Sequence, residues 1–83
     1  MAADFTLRQL GYFIAVARTG TTQAAAEELF VSQSALSAAI SELERSLDVQ
    51  LFIRRAGKSL TLSESGRKLL PSARKLLADA EDL

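Results

Sequence analysis

The 83-residue sequence has no cysteine, no histidine and no tryptophan, and a single proline. Without cysteine there is no disulfide framework, and without cysteine and histidine there is no zinc site of the usual ligand set. The missing imidazole removes the common general base, and with it a catalytic triad of the ordinary kind. Glu42 and Glu44, two residues apart, do not share a helix face, so no carboxylate pair suggests acid–base work. A cysteine-free chain fits a reducing cytosol. Apolar runs are only a few residues long, far short of the ~20 needed to cross a bilayer. The opening Met1-Ala2-Ala3-Asp4 lacks the basic region and apolar block of a secretory leader. A soluble, cytoplasmic, non-enzymatic protein is expected, with no metal and no cofactor in this segment.

Ten Lys and Arg balance ten Asp and Glu, while hydrophobic residues make up 48% of the chain. The size allows one domain, and a domain this small buries only about 60% of its unfolded surface. Apolar surface is therefore left for a partner, and an oligomer is expected on composition alone.

Thr6-Leu7-Arg8-Gln9 has the form of a capping box, with Phe5 and Leu10 at the positions of a hydrophobic staple. Leu10, Phe13, Ile14 and Ala17 follow at helical spacing, and Thr19-Gly20 ends this first helix. A short second helix spans Gln23 to Phe30, capped by Thr21 or Thr22, with three consecutive alanines and Leu29 as its main anchor. Ser32 is a good N-cap for a third helix from about Gln33 to Leu47, in which Leu36, Ile40, Leu43 and Leu47 form the apolar stripe. Its other side carries Ser34, Ser37, Ala38 and Ser41, all small. A helix face meant only for water favours Lys, Glu or Gln; small residues suit close approach to another surface.

Leu51-Phe52-Ile53-Arg54-Arg55 and Ser59-Leu60-Thr61-Leu62 flank Ala56-Gly57-Lys58, the pattern of a short hairpin. Ser63 can cap a last helix reaching Leu83, with a kink expected near Pro71. Leu69, Ala73, Leu76, Ala80 and Leu83 have the spacing of a coiled-coil seam. Zero net charge conceals an uneven distribution. Residues 51–68 hold Arg54, Arg55, Lys58, Arg67 and Lys68 against Glu64 alone. Such clustering is what phosphate neutralisation needs, although a basic hairpin also serves solubility.

Leu7-Arg8-Gln9-Leu10 with Phe13, then Ala25-Ala26-Glu27, Leu29, Val31-Ser32-Gln33 and Ala35-Leu36-Ser37, resembles the LysR-type transcriptional regulators. The likeness continues through Ile40, Leu43-Glu44, Leu51-Phe52, Arg54, Leu62 and Gly66. It implies a mainly α winged helix-turn-helix domain over residues 1–62, with three helices and a two-stranded β wing. A long linker and dimerisation helix follows over 63–83. A larger effector domain, absent from this chain, holds any inducer, which makes the chain look like the DNA-binding fragment of a longer regulator. The implied function is sequence-specific binding of double-stranded DNA, at the bacterial nucleoid, to control transcription.

The resemblance places the third helix in the major groove, with Ser32, Gln33, Ser34, Ser37, Ala38 and Ser41 facing DNA. Gln33 is the expected base reader, because a carboxamide both donates and accepts at adenine. A polar first-turn residue is the plainer reading. Ser32 serves as the cap, and its neighbouring amides can also face a phosphate. Thr21 and Thr22 either reach a phosphate or cap the second helix. Arg54, Arg55 and Lys58 form the wing on the minor groove and backbone. Leu69, Ala73, Leu76, Ala80 and Leu83 either pair two subunits or cover the first helix, and both can hold in part. The implied partners are an interrupted inverted repeat of DNA and a second copy of the chain, with a tetramer possible for a full-length protein. The chain departs from the family pattern at Thr22, Ala24, Ser34, Ala38 and Asp48, where Phe, Arg, Pro, Arg and Gly are common, and its wing is one residue longer. A small helical interaction module is the rival reading. It explains the leucine seam but not a small-residue face beside a basic hairpin.

Overall fold

The computed structural model describes residues 4–83; Met1-Ala2-Ala3, read above for the missing leader, lies outside the described residues. The capping box closes as expected. Thr6 Oγ1 accepts the Gln9 N–H at 3.1 Å, and Gln9 Oε1 accepts the Thr6 N–H at 2.9 Å. Helix α1 then runs Leu7–Thr19 and stops at Gly20, which takes the left-handed conformation with φ 87°. Thr21 caps α2 (Thr22–Leu29), and Ser32 caps α3 (Gln33–Leu47). The hairpin pairs β1 (Phe52–Arg54) with β2 (Leu60–Leu62) in antiparallel register, Phe52 opposite Leu62 and Arg54 opposite Leu60. Ser63 caps α4 (Glu64–Glu81), which runs through Pro71 without a break. The mainly helical winged architecture is the one the sequence implied.

Helix α1 is the centre of the packing and meets α2, α3, α4 and β2. Phe13, Leu10 and Val16 from α1 are buried with Leu36, Ile40 and Leu43 from α3 and Leu51 and Phe52 at the base of the wing. The Phe13 and Phe52 rings lie 5.5 Å apart, tilted by 56°. Each fully buried large side chain here contributes about 1.5–3 kcal/mol relative to exposure. In α2 it is Ala25 and Ala26 that are buried, whereas Leu29, expected as the anchor, is only partly covered. Alanines let α1 and α3 approach so closely that the longer side chain is left at the margin.

The strands are shorter than the apolar runs because the ends of those runs bond elsewhere. Leu51 N–H donates to the Glu44 carboxylate at 2.7 Å, and Leu51 C=O accepts Ser63 N–H at 2.9 Å. Arg55 N–H donates to Ser59 C=O at 2.9 Å and closes the loop. The wing is tied to the helices by Leu60 N–H, which donates to Gly20 C=O at 2.8 Å. At the α4 start, a Cβ on Gly66 would strike the Leu51 carbonyl oxygen well inside van der Waals contact. Gly66 and Ala73 are buried, so the core continues past residue 63 into the first half of α4. No helix among the described residues is long and apolar enough to cross a membrane.

Candidate nucleic-acid interface

The apolar stripe of α3 turns Leu36, Ile40 and Leu43 inward, which leaves Gln33, Ser34, Ala38 and Ser41 exposed and Ser37 half-buried on the opposite face. Ser32 Oγ accepts the Ala35 N–H at 3.1 Å, so this serine is the cap; its hydroxyl also lies 3.4 Å from that of Ser34. The outer face carries no charge through its first two turns, and the only basic residue of the helix is Arg45, in the last turn. The free N–H groups and dipole of the α3 N-terminus are therefore its main positive features.

Thr21 performs the capping role: its Oγ1 accepts the Ala24 N–H at 3.0 Å, and its carbonyl accepts the Thr19 hydroxyl at 3.1 Å. Thr22 does something different. Its Oγ1 accepts the Gln33 Nε2–H at 3.0 Å across the helix-turn-helix. Arg54 and Lys58 of the wing join Thr22, Gln33, Ser37 and Leu60 around a cleft of about 220 Å³. A second cleft of about 200 Å³ extends it to Ser41, Glu44 and Gln50. Arg55 lines neither cleft; its Nε donates to Thr61 Oγ1 at 3.0 Å, and among the described residues its terminal nitrogens make no bond. The fold thus gathers Thr22, Gln33, Ser37, Ser41, Arg54 and Lys58 on one side. Ser34 and Ala38 stand exposed on α3 outside both clefts.

Arg18 at the end of α1 forms a two-pronged ion pair with Glu28 of α2, one prong at 2.6 Å. The hydrogen bond from Arg18 holds the Glu28 carboxyl below its ordinary range, and the same bond raises Arg18. Among the described residues, no three His, Cys, Asp or Glu gather as metal ligands.

The proposed seam of α4 is divided. Ala73 is buried in the domain's own core, Leu69 and Ala80 are half-buried, and Leu76 and Leu83 are exposed. Ala73 is therefore closed to a partner, because the backbones of α1 and α4 approach closely along their shared face. Leu77 reaches to 3.9 Å from where a Cβ on Gly11 would stand. Leu76 borders an apolar groove of about 180 Å³ with Phe5, Leu10, Leu47, Leu69 and Ala73.

Sequence reasoning missed the two bonds that set the wing, Glu44 to Leu51 and Leu60 to Gly20, since neither spacing is periodic. It also missed the Thr22–Gln33 bond. The only available signal was that Thr22 replaces an expected aromatic residue with a hydroxyl.

The model for bacterial regulatory helix-turn-helix proteins of the lysR family matches residues 7–67. The HTH-type transcriptional regulator YeiE of Escherichia coli (strain K12) is 49% identical over 78 residues, covering 94% of this chain and 26% of that protein. This chain thus spans about a quarter of that regulator's length. The crystal structure of the CbnR DNA-binding domain–DNA complex superposes with a TM-score of 0.88 at 38% identity, covering 94% of this chain and 88% of that one. The BenM DNA-binding domain with benA site 1 DNA gives 0.86 at 32% identity, covering 94% and 90%. On these grounds the chain belongs to the LysR family of helix-turn-helix transcriptional regulators.

Proposed function

We propose that this domain reads double-stranded DNA for a transcriptional regulator, with α3 in the major groove and the wing on the minor groove and backbone. One observation carries the reading. The exposed, uncharged face of α3 and the side chains of Arg54 and Lys58 open on the same side of the fold. A helix entering the groove needs small residues for approach, and the flanking strand of DNA needs cations at phosphate distance. Gln33 is the base reader; Ser34, Ser37, Ala38 and Ser41 permit contact. The DNA complexes of the related CbnR and BenM domains support this assignment. Two copies pair through the exposed leucines of α4, Leu76 and Leu83, and so bind an interrupted inverted repeat. The uncovered apolar rim around Leu76 supports that pairing. Such a protein works on the nucleoid in the bacterial cytoplasm.

The test is selection of bound duplexes from a random pool at low salt. Enrichment of an interrupted inverted repeat is the expected outcome and reports base reading and two-fold pairing together. A folded sample that binds no duplex at any salt concentration overturns the proposal in favour of a protein-interaction module.

A further inference from the structure

The Gln33 side chain is exposed at the start of α3, yet it is not free. Its Nε2 donates to Thr22 Oγ1 at 3.0 Å, from a residue eleven positions earlier in the chain, and makes the one bond this carboxamide forms among the described residues. Thr22 is itself fixed. It is the first residue of α2, half-buried, with its neighbour Thr21 held at the cap by two further bonds. A flexible side chain anchored to a rigid helix start presents a defined pair of groups outward. One N–H is taken by Thr22, which leaves one N–H and the carbonyl Oε1.

That remaining pair has a polarity. The major-groove edge of adenine shows an acceptor at N7 and a donor at N6, which match one N–H and one carbonyl. Guanine shows two acceptors, N7 and O6, and asks for two donors, one of which Thr22 holds. We propose that Thr22 is a positioning residue that orients the Gln33 carboxamide to read adenine and to discriminate against guanine. This rests on the reading of Gln33 as the base reader and adds what sets its orientation. Arg54, Lys58 and Ser37 line the same cleft. Neither cation can accept from the carboxamide, and among the described residues the Ser37 hydroxyl makes no bond to it, so the threonine hydroxyl is the acceptor of its N–H.

The test compares five forms of the 83-residue chain: the parent, Gln33→Ala, Thr22→Val, Thr22→Ser and Thr22→Ala. Relative affinities are measured for duplexes carrying each of the four base pairs at the position where Gln33→Ala flattens the preference. Thr22→Val keeps the shape and removes the hydroxyl. It is expected to cut adenine-over-guanine discrimination about 3- to 10-fold, the worth of one hydrogen bond and the ordering it supplies. Melting temperature stays at the parent value, so the loss of discrimination is read on a folded domain. Thr22→Ser restores the discrimination, and Thr22→Ala, without β-branching, repeats the loss. Unchanged discrimination in Thr22→Val, with loss in Gln33→Ala, overturns the positioning role alone. Equal loss in Thr22→Ser and Thr22→Val overturns it too, because shape rather than the hydroxyl then matters. If Gln33→Ala alters no base preference at all, the reading of Gln33 fails and this inference fails with it.

Discussion

Replacing Arg54 and Arg55 together by Ala is the perturbation that most directly separates DNA holding from DNA reading. Both guanidinium groups are exposed, and the Arg55 bond to Thr61 uses only its Nε. Each can therefore neutralise one phosphate, and each phosphate neutralised contributes about 0.9 to the slope of log affinity against log salt. On the proposed docking, with no basic side chain on the first two turns of α3, the wing is expected to carry most of the slope, with Arg54, Arg55 and Lys58 together supplying about 2.7 per domain. The double substitution is expected to lower the slope by about 1.8 per domain. Between 50 and 200 mM salt the variant then loses about 12-fold less affinity per domain than the parent, or about 150-fold less for a dimer on two half-sites. Fluorescence anisotropy titrations on one duplex over that salt range supply the measurement, and base preference at the Gln33 position should persist at low salt. An unchanged slope refutes the reasoning, since the phosphate contacts must then lie off the wing.

Three further outcomes follow from the packing. Gly66→Ala is expected to lower stability by about 1–3 kcal/mol in urea unfolding, despite the better helix propensity of alanine. The new methyl meets the Leu51 carbonyl, which is held in place by Ser63 N–H; a stability gain, as in an open helix, would contradict that contact. Phe30 sits at φ 58° with 94% of its surface exposed. Phe30→Asn should therefore raise stability by about 0.5–1 kcal/mol, because asparagine tolerates the left-handed cap and no buried contact is lost. For Glu28, the ion pair lowers the carboxyl in the folded state, so its contribution is present above the ordinary value of 4.5 and fades as pH falls through the folded value. Glu28→Gln should melt below the parent at pH 7 and converge with it on acidification, and a gap that persists to pH 3 would exclude the pair as its cause.

Most of the secondary structure was legible because its signals act over three or four residues. Thr6 with Gln9, Ser32 with Ala35 and Ser63 with Gly66 are caps written in adjacent sequence, and all three form. The inward face of α3 was legible for the same reason: Leu36, Ile40 and Leu43 repeat at helical spacing and are buried. At Asp48, where the family favours glycine, the structure shows the left-handed conformation that a glycine would serve, φ 56°. Aspartate is among the few other residues that tolerate it.

Leu29 is different. Its hydrophobicity marked it as an anchor, yet how closely helices approach depends on the partner's surface, and Ala25 and Ala26 took the space. The periodicity of α4 was real but did not say which leucine meets which neighbour. Packing on α1 buried Ala73, half-covered Leu69 and left Leu76 and Leu83 outside.

The sequence by itself therefore determined the helices, their caps, their inward faces, and a basic hairpin placed after a helix with a small-residue face. Local hydrogen bonding and a fixed helical period need no partner from elsewhere in the chain. Only the tertiary structure decided that Thr22 holds Gln33, that Glu44 and Gly20 anchor the two strands of the wing, and that Gly66 must lack a side chain. Those groups lie 7 to 40 residues apart along the chain, and the shared core around Phe13 is what brings them within bonding distance.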